Sequence, residues 1–393
     1  MRTFDELGLP PELLRAVADL NFTEPTPIQV QAIPPALAGR DILASAQTGS
    51  GKSAAFGLPL IARLLDRPRG TTRALALAPT RELAEQISVH LGALVRHTTL
   101  RVAAIYGGVS FGRQLAALAS GTEIIIATPG RLLDHLNNGD LRLDAIEMFV
   151  LDEADRMLDM GFLPSVRRLL RMLPAQRQTL FFSATLPSAI SVLVGEILRD
   201  PVRIELAAEH PPIEMLTQRI YSVPQEKKTE LLLELFKDNN IYSAIAFTRT
   251  KSRANRLAAA LSKHRIPTDL IHGDRSQAQR TRALESLKNG KIRVLVATDI
   301  AARGIDIVEL GHVVNYDVPL IAEDYVHRIG RTARAKASGD AITFVSADEE
   351  PLILKIEYTL GRRLEREINP LFPEIAAVAP KPRKVYSSSR RRR

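Results

Sequence analysis

Twice along this chain of 393 residues, short apolar runs alternate with longer stretches whose apolar residues recur at helical spacing. The first series lies between about residues 41 and 204, with runs at 41–45, 74–78, 101–106, 123–127, 146–151 and 179–183. Helix-like stretches such as 81–96 and 161–172 lie between them. Runs this short and this apolar fit strands covered on both faces, and their alternation with helices argues for βαβ units around a parallel sheet. The pattern pauses at 205–215, where Ala207-Ala208-Glu209-His210-Pro211-Pro212 reads as a linker. It resumes with runs at 217–223, 243–247, 268–271, 293–297, 312–316 and 341–345. The expected fold is α/β with two tandem domains, at residues 1–205 and 217–361, joined by a linker at 206–216. Beyond residue 361 the periodicity fades, and 362–393 reads as a basic, disordered tail.

Composition narrows the chemistry. With no cysteine there is no disulfide, no cysteine-zinc site and no thiol nucleophile, and the eight histidines lack metal-ligand spacing. No apolar run reaches the roughly 18 residues of a membrane span, and the first six residues lack the apolar core of a secretory leader. The expectation is a cytoplasmic chain that meets no membrane. The net charge of +9 is concentrated at one end, where Lys381, Arg383, Lys384 and Arg390 to Arg393 face no acid after Pro380. Nucleic acid is the commonest partner of such a tail, and a merely solubilising end is the alternative.

Ala46-Gln47-Thr48-Gly49-Ser50-Gly51-Lys52-Ser53 follows an expected strand and opens an expected helix, the context of a phosphate loop. Gly49 and Gly51 let the backbone aim its N–H groups at phosphate oxygens, and the helix N-terminus adds its dipole. Lys52 would reach the β- and γ-phosphates, and the Ser53 hydroxyl would help hold Mg²⁺. Ala46 stands where the strict pattern has glycine, so a glycine-rich helix entrance of any α/β fold is the alternative. Phe149-Val150-Leu151 then runs into Asp152-Glu153-Ala154-Asp155. Acids just past a parallel strand sit where open α/β sheets bind ligands. Asp152 can join the Mg²⁺ shell while Glu153 orients and deprotonates an attacking water.

With D-E-A-D at 152–155, the chain resembles the DEAD-box helicases, and further motifs follow in family order from Phe4 to Val345. Phe22 with Pro25-Thr26-Pro27-Ile28-Gln29 resembles the Q motif, with Phe4 upstream. Pro79-Thr80-Arg81, Gly107-Gly108 and Thr128-Pro129-Gly130-Arg131 resemble first-domain RNA contacts, and Ser183-Ala184-Thr185 the element coupling hydrolysis to closure. In the second half, Phe247-Thr248-Arg249-Thr250, His272-Gly273-Asp274, Gln277 with Arg280, Ala297-Thr298-Asp299 and Arg303-Gly304-Ile305-Asp306 resemble motifs IV and V and their neighbour. The stretch His327-Arg328-Ile329-Gly330-Arg331-Thr332-Ala333-Arg334 resembles motif VI. Asn21, Ser53 and Ala333 depart from the family's Gly, Thr and Gly.

The resemblance implies two RecA-like domains of the P-loop NTPase type and an ATP-dependent RNA helicase using ATP and Mg²⁺. It implies ATP contacts from Gln29, Thr48, Gly49, Ser50, Gly51, Lys52, Ser53, Gly304 and Asp306. Phe4 would stack on the adenine or belong to a small N-terminal core. Lys52, Asp152, Glu153, Arg331 and Arg334 would be catalytic, with Ser53 and Asp152 on the metal, and Ser183, Thr185 and His327 would couple hydrolysis to closure. RNA contacts fall to Pro79, Thr80, Arg81, Gly108, Thr128, Gly130, Arg131, Thr248, Gly273, Gln277, Arg280 and Thr298. Hydroxyls, backbone N–H groups and arginines grip phosphates and 2′-hydroxyls, so binding without sequence preference is expected. The short linker and basic end are most similar to the bacterial RhlE-type subgroup. A monomer with ribosome-assembly or RNA-degradation partners is expected. A DNA-translocating helicase and an RNA-holding clamp are the alternatives.

Overall fold

The computed structural model describes residues 3–46, 49–206, 217–237, 241–299, 310–330, 340–369 and 371–372. These form two compact units, one before residue 207 and one after residue 216. The first holds strands β1 (Ile42–Ser45), β2 (Ala74–Leu77), β3 (Val102–Ile105), β4 (Ile124–Ala127), β5 (Met148–Leu151), β6 (Gln178–Ser183) and β7 (Val202–Glu205). Its described helices are α1 (Pro11–Asp19), α2 (Pro27–Leu37), α3 (Lys52–Leu64), α4 (Arg81–Leu94), α5 (Phe111–Ala119), α6 (Pro129–Asn137), α7 (Ala154–Asp159), α8 (Leu163–Leu170) and α9 (Ser188–Ile197). The strands lie in the order β3-β4-β2-β5-β6-β1-β7, every ladder parallel.

Because successive side chains on a strand point to opposite faces, one apolar run feeds two cores. Ala74, Ala76, Ile124 and Ile126 pack on one face of the sheet, while Leu75, Leu77, Ile125 and Ala127 pack on the other. That double burial is why the inner strands read as unbroken apolar runs. The edge strand β7 was not legible in this way: Arg203 and Glu205 are exposed, and only Ile204 is buried. Asn21 takes the left-handed backbone with φ 56°, a conformation asparagine tolerates better than most residues.

The second unit holds β8 (Thr217–Ser222), β9 (Ala244–Thr248), β10 (Thr268–Ile271), β11 (Val294–Thr298), β12 (His312–Asn315), β13 (Asp340–Val345) and β14 (Arg366–Glu367). Its described helices are α10 (Lys228–Leu235), α11 (Lys251–Lys263), α12 (Gln277–Lys288), α13 (Ala322–Ile329) and α14 (Glu350–Leu360). The order β10-β11-β9-β12-β13-β8-β14 repeats that of the first unit, strand for strand. One difference from the sequence reading concerns 362–372, assigned there to the tail. In the structure β14 pairs with β8, Leu364 is buried, Asn369 donates to the Ser222 carbonyl at 3.0 Å, and Leu371 and Phe372 pack on the core. A two-residue strand is too short to register as periodicity. Residues 373–393 lie outside the described residues.

A buried ion cluster closes the second sheet. Lys228, fully buried, donates to the Tyr316 carbonyl at 2.9 Å and to the Phe344 carbonyl at 3.3 Å, and pairs with Glu349. Burial pulls its ammonium below the usual lysine range, against the pull of Glu349. Asp317, also fully buried, meets Arg253 at 2.8 Å and accepts from the Arg249 backbone. Removing one partner of such a cluster strands the rest without water. Lys228→Met is expected to lower the unfolding free energy of the second unit by about 3–5 kcal/mol, read as a shift of its urea midpoint.

Candidate functional site

Strand order makes neighbours of β5, β6 and β1, so the loops at their carboxyl ends share one edge of the first sheet. After β1 the backbone turns through left-handed Gly49 (φ 85°) and Gly51 (φ 93°) into α3. The turn is tied to the Q-motif segment. Gln29, 4% exposed, donates to the Gly51 carbonyl at 3.1 Å and accepts from the Thr26 N–H at 2.9 Å. A Cβ at Gly51 would lie 2.6 Å from Gln29 Nε2 and 2.7 Å from Thr26 Oγ1, so glycine is required for space as well as for φ. Ser50 and Ser53 are partly exposed on this loop. Thr48 lies outside the described residues.

Lys52 heads α3 and is buried, its Nζ donating to the Ala46 carbonyl at 3.0 Å and lying 3.6 Å from Asp152 Oδ1. Asp152 Oδ1 is buried and accepts no hydrogen bond from the described residues. Burial pushes the Asp152 carboxyl up to about 6, against the pull of the Lys52 ammonium and with the added push of Glu153. Glu153 sits in a left-handed backbone (φ 53°) and pairs with Arg156 at 3.0 Å, both nearly buried. A bulky residue held there is strained, as residues at the end of a ligand-binding strand often are. Asp155 locks this turn to the next strand. Its Oδ2 accepts from the Ala184 N–H at 3.1 Å, the Thr185 N–H at 2.8 Å and the Thr185 hydroxyl at 2.9 Å. The Ser183 hydroxyl accepts from the Asp155 N–H at 3.2 Å and donates to the Thr185 carbonyl at 2.7 Å.

Phe4 is 5% exposed in the core, its ring stacked on Phe22 at 6.3 Å.

The other half of the same edge carries the loops after β2, β4 and β3. Thr80 caps α4 by accepting from the Leu83 N–H at 3.2 Å, which sets Pro79 and Arg81 at the end of β2. Arg81 lies against the glycine pair after β3: a Cβ at Gly108, itself left-handed at φ 85°, would fall 2.0 Å from Arg81 Nη1. Thr128 precedes α6 at the end of β4, with Gly130 and Arg131 in its first turn. In the second unit the corresponding neighbours β9 and β11 end in Thr248 and Thr298, and Gly273 lies in the loop after β10. Gln277 and Arg280 are buried on α12. His327 lies on α13 beside Arg328, whose guanidinium grips Asp299 with two contacts of 2.6 and 2.7 Å. Gly304, Asp306, Arg331 and Arg334 lie outside the described residues. Sequence reasoning gave Asp155, Asp299 and Arg328 no role of their own; a buried acid or arginine inside each motif was the available signal.

If Gly51 holds the loop open, Gly51→Ala pushes Gln29 aside and strains the turn. Affinity for a fluorescent ATP analogue is expected to fall by about tenfold or more, at roughly 1.4 kcal/mol per tenfold, with the far-ultraviolet dichroism unchanged.

The DEAD/DEAH box helicase family pattern matches residues 26–192, and the Helicase conserved C-terminal domain pattern matches residues 227–336. The chain is 43% identical over 374 residues to the DEAD-box ATP-dependent RNA helicase CshA of Geobacillus kaustophilus, covering 95% of this chain and 80% of that protein. It is 42% identical over 372 residues to CshA of Bacillus subtilis, covering 95% of this chain and 75% of that one. Among solved structures it is similar to S. cerevisiae Dbp5 bound to RNA and ADP BeF3, with a TM-score of 0.84, 32% identity and coverage of 95% and 98% of the two chains. Likeness extends to a DEAD box protein of Methanococcus jannaschii, with a TM-score of 0.53, 36% identity and coverage of 93% and 99%. Sheet order, motif placement and relatives thus agree, and the chain belongs to the DEAD-box family of ATP-dependent RNA helicases, enzymes that hydrolyse ATP.

Proposed function

We propose that the first unit hydrolyses ATP through Lys52, Asp152 and Glu153, and that Thr80, Arg81, Gly108, Thr128, Gly130 and Arg131 grip the backbone of single-stranded RNA along the same edge. The observation that carries the first part is the meeting of Lys52 and Asp152 at 3.6 Å, with Asp152 Oδ1 buried and lacking a hydrogen-bond donor. A carboxylate in that state suits a cation. Mg²⁺ would be held there by Asp152 and Ser53, and when bound it neutralises phosphate charge. Lys52 would leave the Ala46 carbonyl for the phosphate oxygens. Glu153 takes a proton from the water that attacks the γ-phosphorus, the bond to the bridging oxygen breaks, and ADP leaves.

In the second unit, Thr248, Gly273, Gln277, Arg280 and Thr298 complete the RNA contacts in this reading. Gly304 and Asp306 contact ATP, and Arg331 and Arg334 stabilise charge on the transferring phosphoryl group. Ser183, Thr185 and His327 couple hydrolysis to domain closure. The domain limits are 1–205 and 217–361, with the linker at 206–216 and the basic tail after 361; the packing of 362–372 on the second core favours a tail that starts later. Contacts to phosphate and sugar favour RNA over DNA without sequence preference. The protein acts in the cytoplasm as a monomer, and ribosome assembly or RNA degradation are the settings that suit such binding. The RhlE-type subgroup rests on the short linker and basic end alone, and the CshA relatives belong to a different subgroup.

Hydrolysis measured with no nucleic acid, with single-stranded RNA and with single-stranded DNA tests the substrate. Stimulation by RNA alone is expected, and equal stimulation by DNA would overturn the reading. Glu153→Gln is expected to cut ATP turnover by about 100-fold or more, the range of a positioned general base, while ATP and RNA still bind. Turnover within a few-fold of the parent protein would remove Glu153 from the mechanism.

A further inference from the structure

Behind the RNA end of the first unit lies a buried polar group that no motif contains. Gln114, on α5 and 5% exposed, donates from Nε2 to the Tyr106 carbonyl at 2.7 Å. A carbonyl can only accept, so this bond fixes the orientation of the amide and turns Oε1 the other way. Two groups converge on that oxygen: His135 Nε2 at 3.1 Å and Arg131 Nη1 at 3.3 Å. His135 is fully buried on α6, and its Nδ1 lies 2.9 Å from Asp140 Oδ2. The amide oxygen accepts, and so does an ionised carboxylate. Each ring nitrogen thus has a polar partner, the amide oxygen on one side and the carboxylate on the other.

Phe111 joins the group from above. Its ring stacks on the imidazole of His135, with centroids 4.0 Å apart and planes at 16°. The Arg131 guanidinium lies 5.5 Å from the same ring centroid, within cation–π range. Arg131 Nη1 also reaches the Val109 carbonyl at 3.4 Å, one residue past the glycine pair. Among the described residues its acidic partner is Asp134, 3.6 Å away and largely exposed. Arg131 is thus steered by neutral oxygens and a ring, and among the described residues no buried carboxylate pairs with it. An arginine held in this manner keeps its charge for an anion arriving from solvent.

We infer that His135, backed by Asp140, is a positioning residue for RNA: through Gln114 and Phe111 it sets the Arg131 guanidinium and the turn at residues 107–109 where a phosphate must meet them. This rests on the proposed RNA role of Arg131. A buried histidine on a helix is more often plain core, but plain core would be served as well by an apolar residue. Here the ring instead bridges two acceptors on different segments, and the arginine shares one of them.

The test reads poly(U)-stimulated ATP hydrolysis by the full chain. His135→Phe keeps the stacking on Phe111 and removes both ring nitrogens. It is expected to raise the poly(U) concentration for half-maximal stimulation about fivefold, within the range of coupled neighbours. The rate at saturating poly(U) and the KM for ATP should stay at the parent values. Asp140 is partly exposed, so its variants should fold: Asp140→Asn, which keeps an acceptor, should behave as the parent, and Asp140→Ala should shift in the direction of His135→Phe. In the cycle with Arg131→Ala, the double variant should be no weaker than Arg131→Ala alone. Additive losses, or an ATP KM that moves with the RNA term, would overturn the positioning role and leave a structural one. If Arg131→Ala by itself does not change the poly(U) requirement, the RNA role of Arg131 fails, and the inference falls with it.

Discussion

In a parallel sheet every strand delivers its following loop to the same edge, so the chemistry of such a fold is set by which strands are neighbours. In the first unit β5, β6 and β1 are contiguous and deliver Asp152 and Glu153, Ser183 to Thr185, and the phosphate loop. The strands β3, β4 and β2 are contiguous in turn and deliver Gly108, Thr128 to Arg131, and Arg81. The two groups meet where β2 pairs with β5, Leu77 beside Leu151. Strands lie about 4.8 Å apart, so the half of the edge with the phosphate loop and acids and the half with Arg81, Gly108 and Arg131 are separated by a single ladder.

The loops of the first group are tied together by buried hydrogen bonds. Asp155 collects two backbone N–H groups and a hydroxyl from the loop after β6, binding the acidic turn to Ala184 and Thr185. A carboxylate with that many donors is costly to disturb, because each orphaned N–H would lose its partner away from water. Gln29 does the equivalent work on the other side, closing the Q-motif segment over Gly51. At the phosphate loop the balance is different. Lys52 rests on a carbonyl and stands off Asp152, an arrangement that leaves both the ammonium and the acid ready for new partners.

The second unit repeats the strand order with different side chains. In its interior Lys228, Glu349, Asp317 and Arg253 form one ion cluster, and Arg328 clasps Asp299. Each charge there has an opposite charge beside it, which is the condition for keeping ions in a dry interior. The cluster also reaches the backbone of Arg249, one residue past Thr248, so the turn after β9 is fixed from within.

The sequence by itself determined the twofold α/β plan, because double burial makes inner strands apolar at every position, as in Phe149-Val150-Leu151. It also determined the kinds of group available: an ammonium and hydroxyl after a glycine turn, adjacent acids after an apolar run, and arginines in short polar motifs. It did not show the edge strands, because β7 keeps only one buried side chain and β14 has two residues. It did not show that Phe4 packs on Phe22, a contact between residues 18 positions apart. Tertiary structure alone decided which loops stand side by side, because a crossover helix can return a strand to either side of its sheet. It also decided the contacts that cross long spans of chain, Gln29 to Gly51 over 22 residues and Asp155 to Thr185 over 30. The joining of His135 to Arg131 through Gln114 belongs to the same class. No periodicity reports such a contact, since it depends on two helices from different strands meeting at one amide.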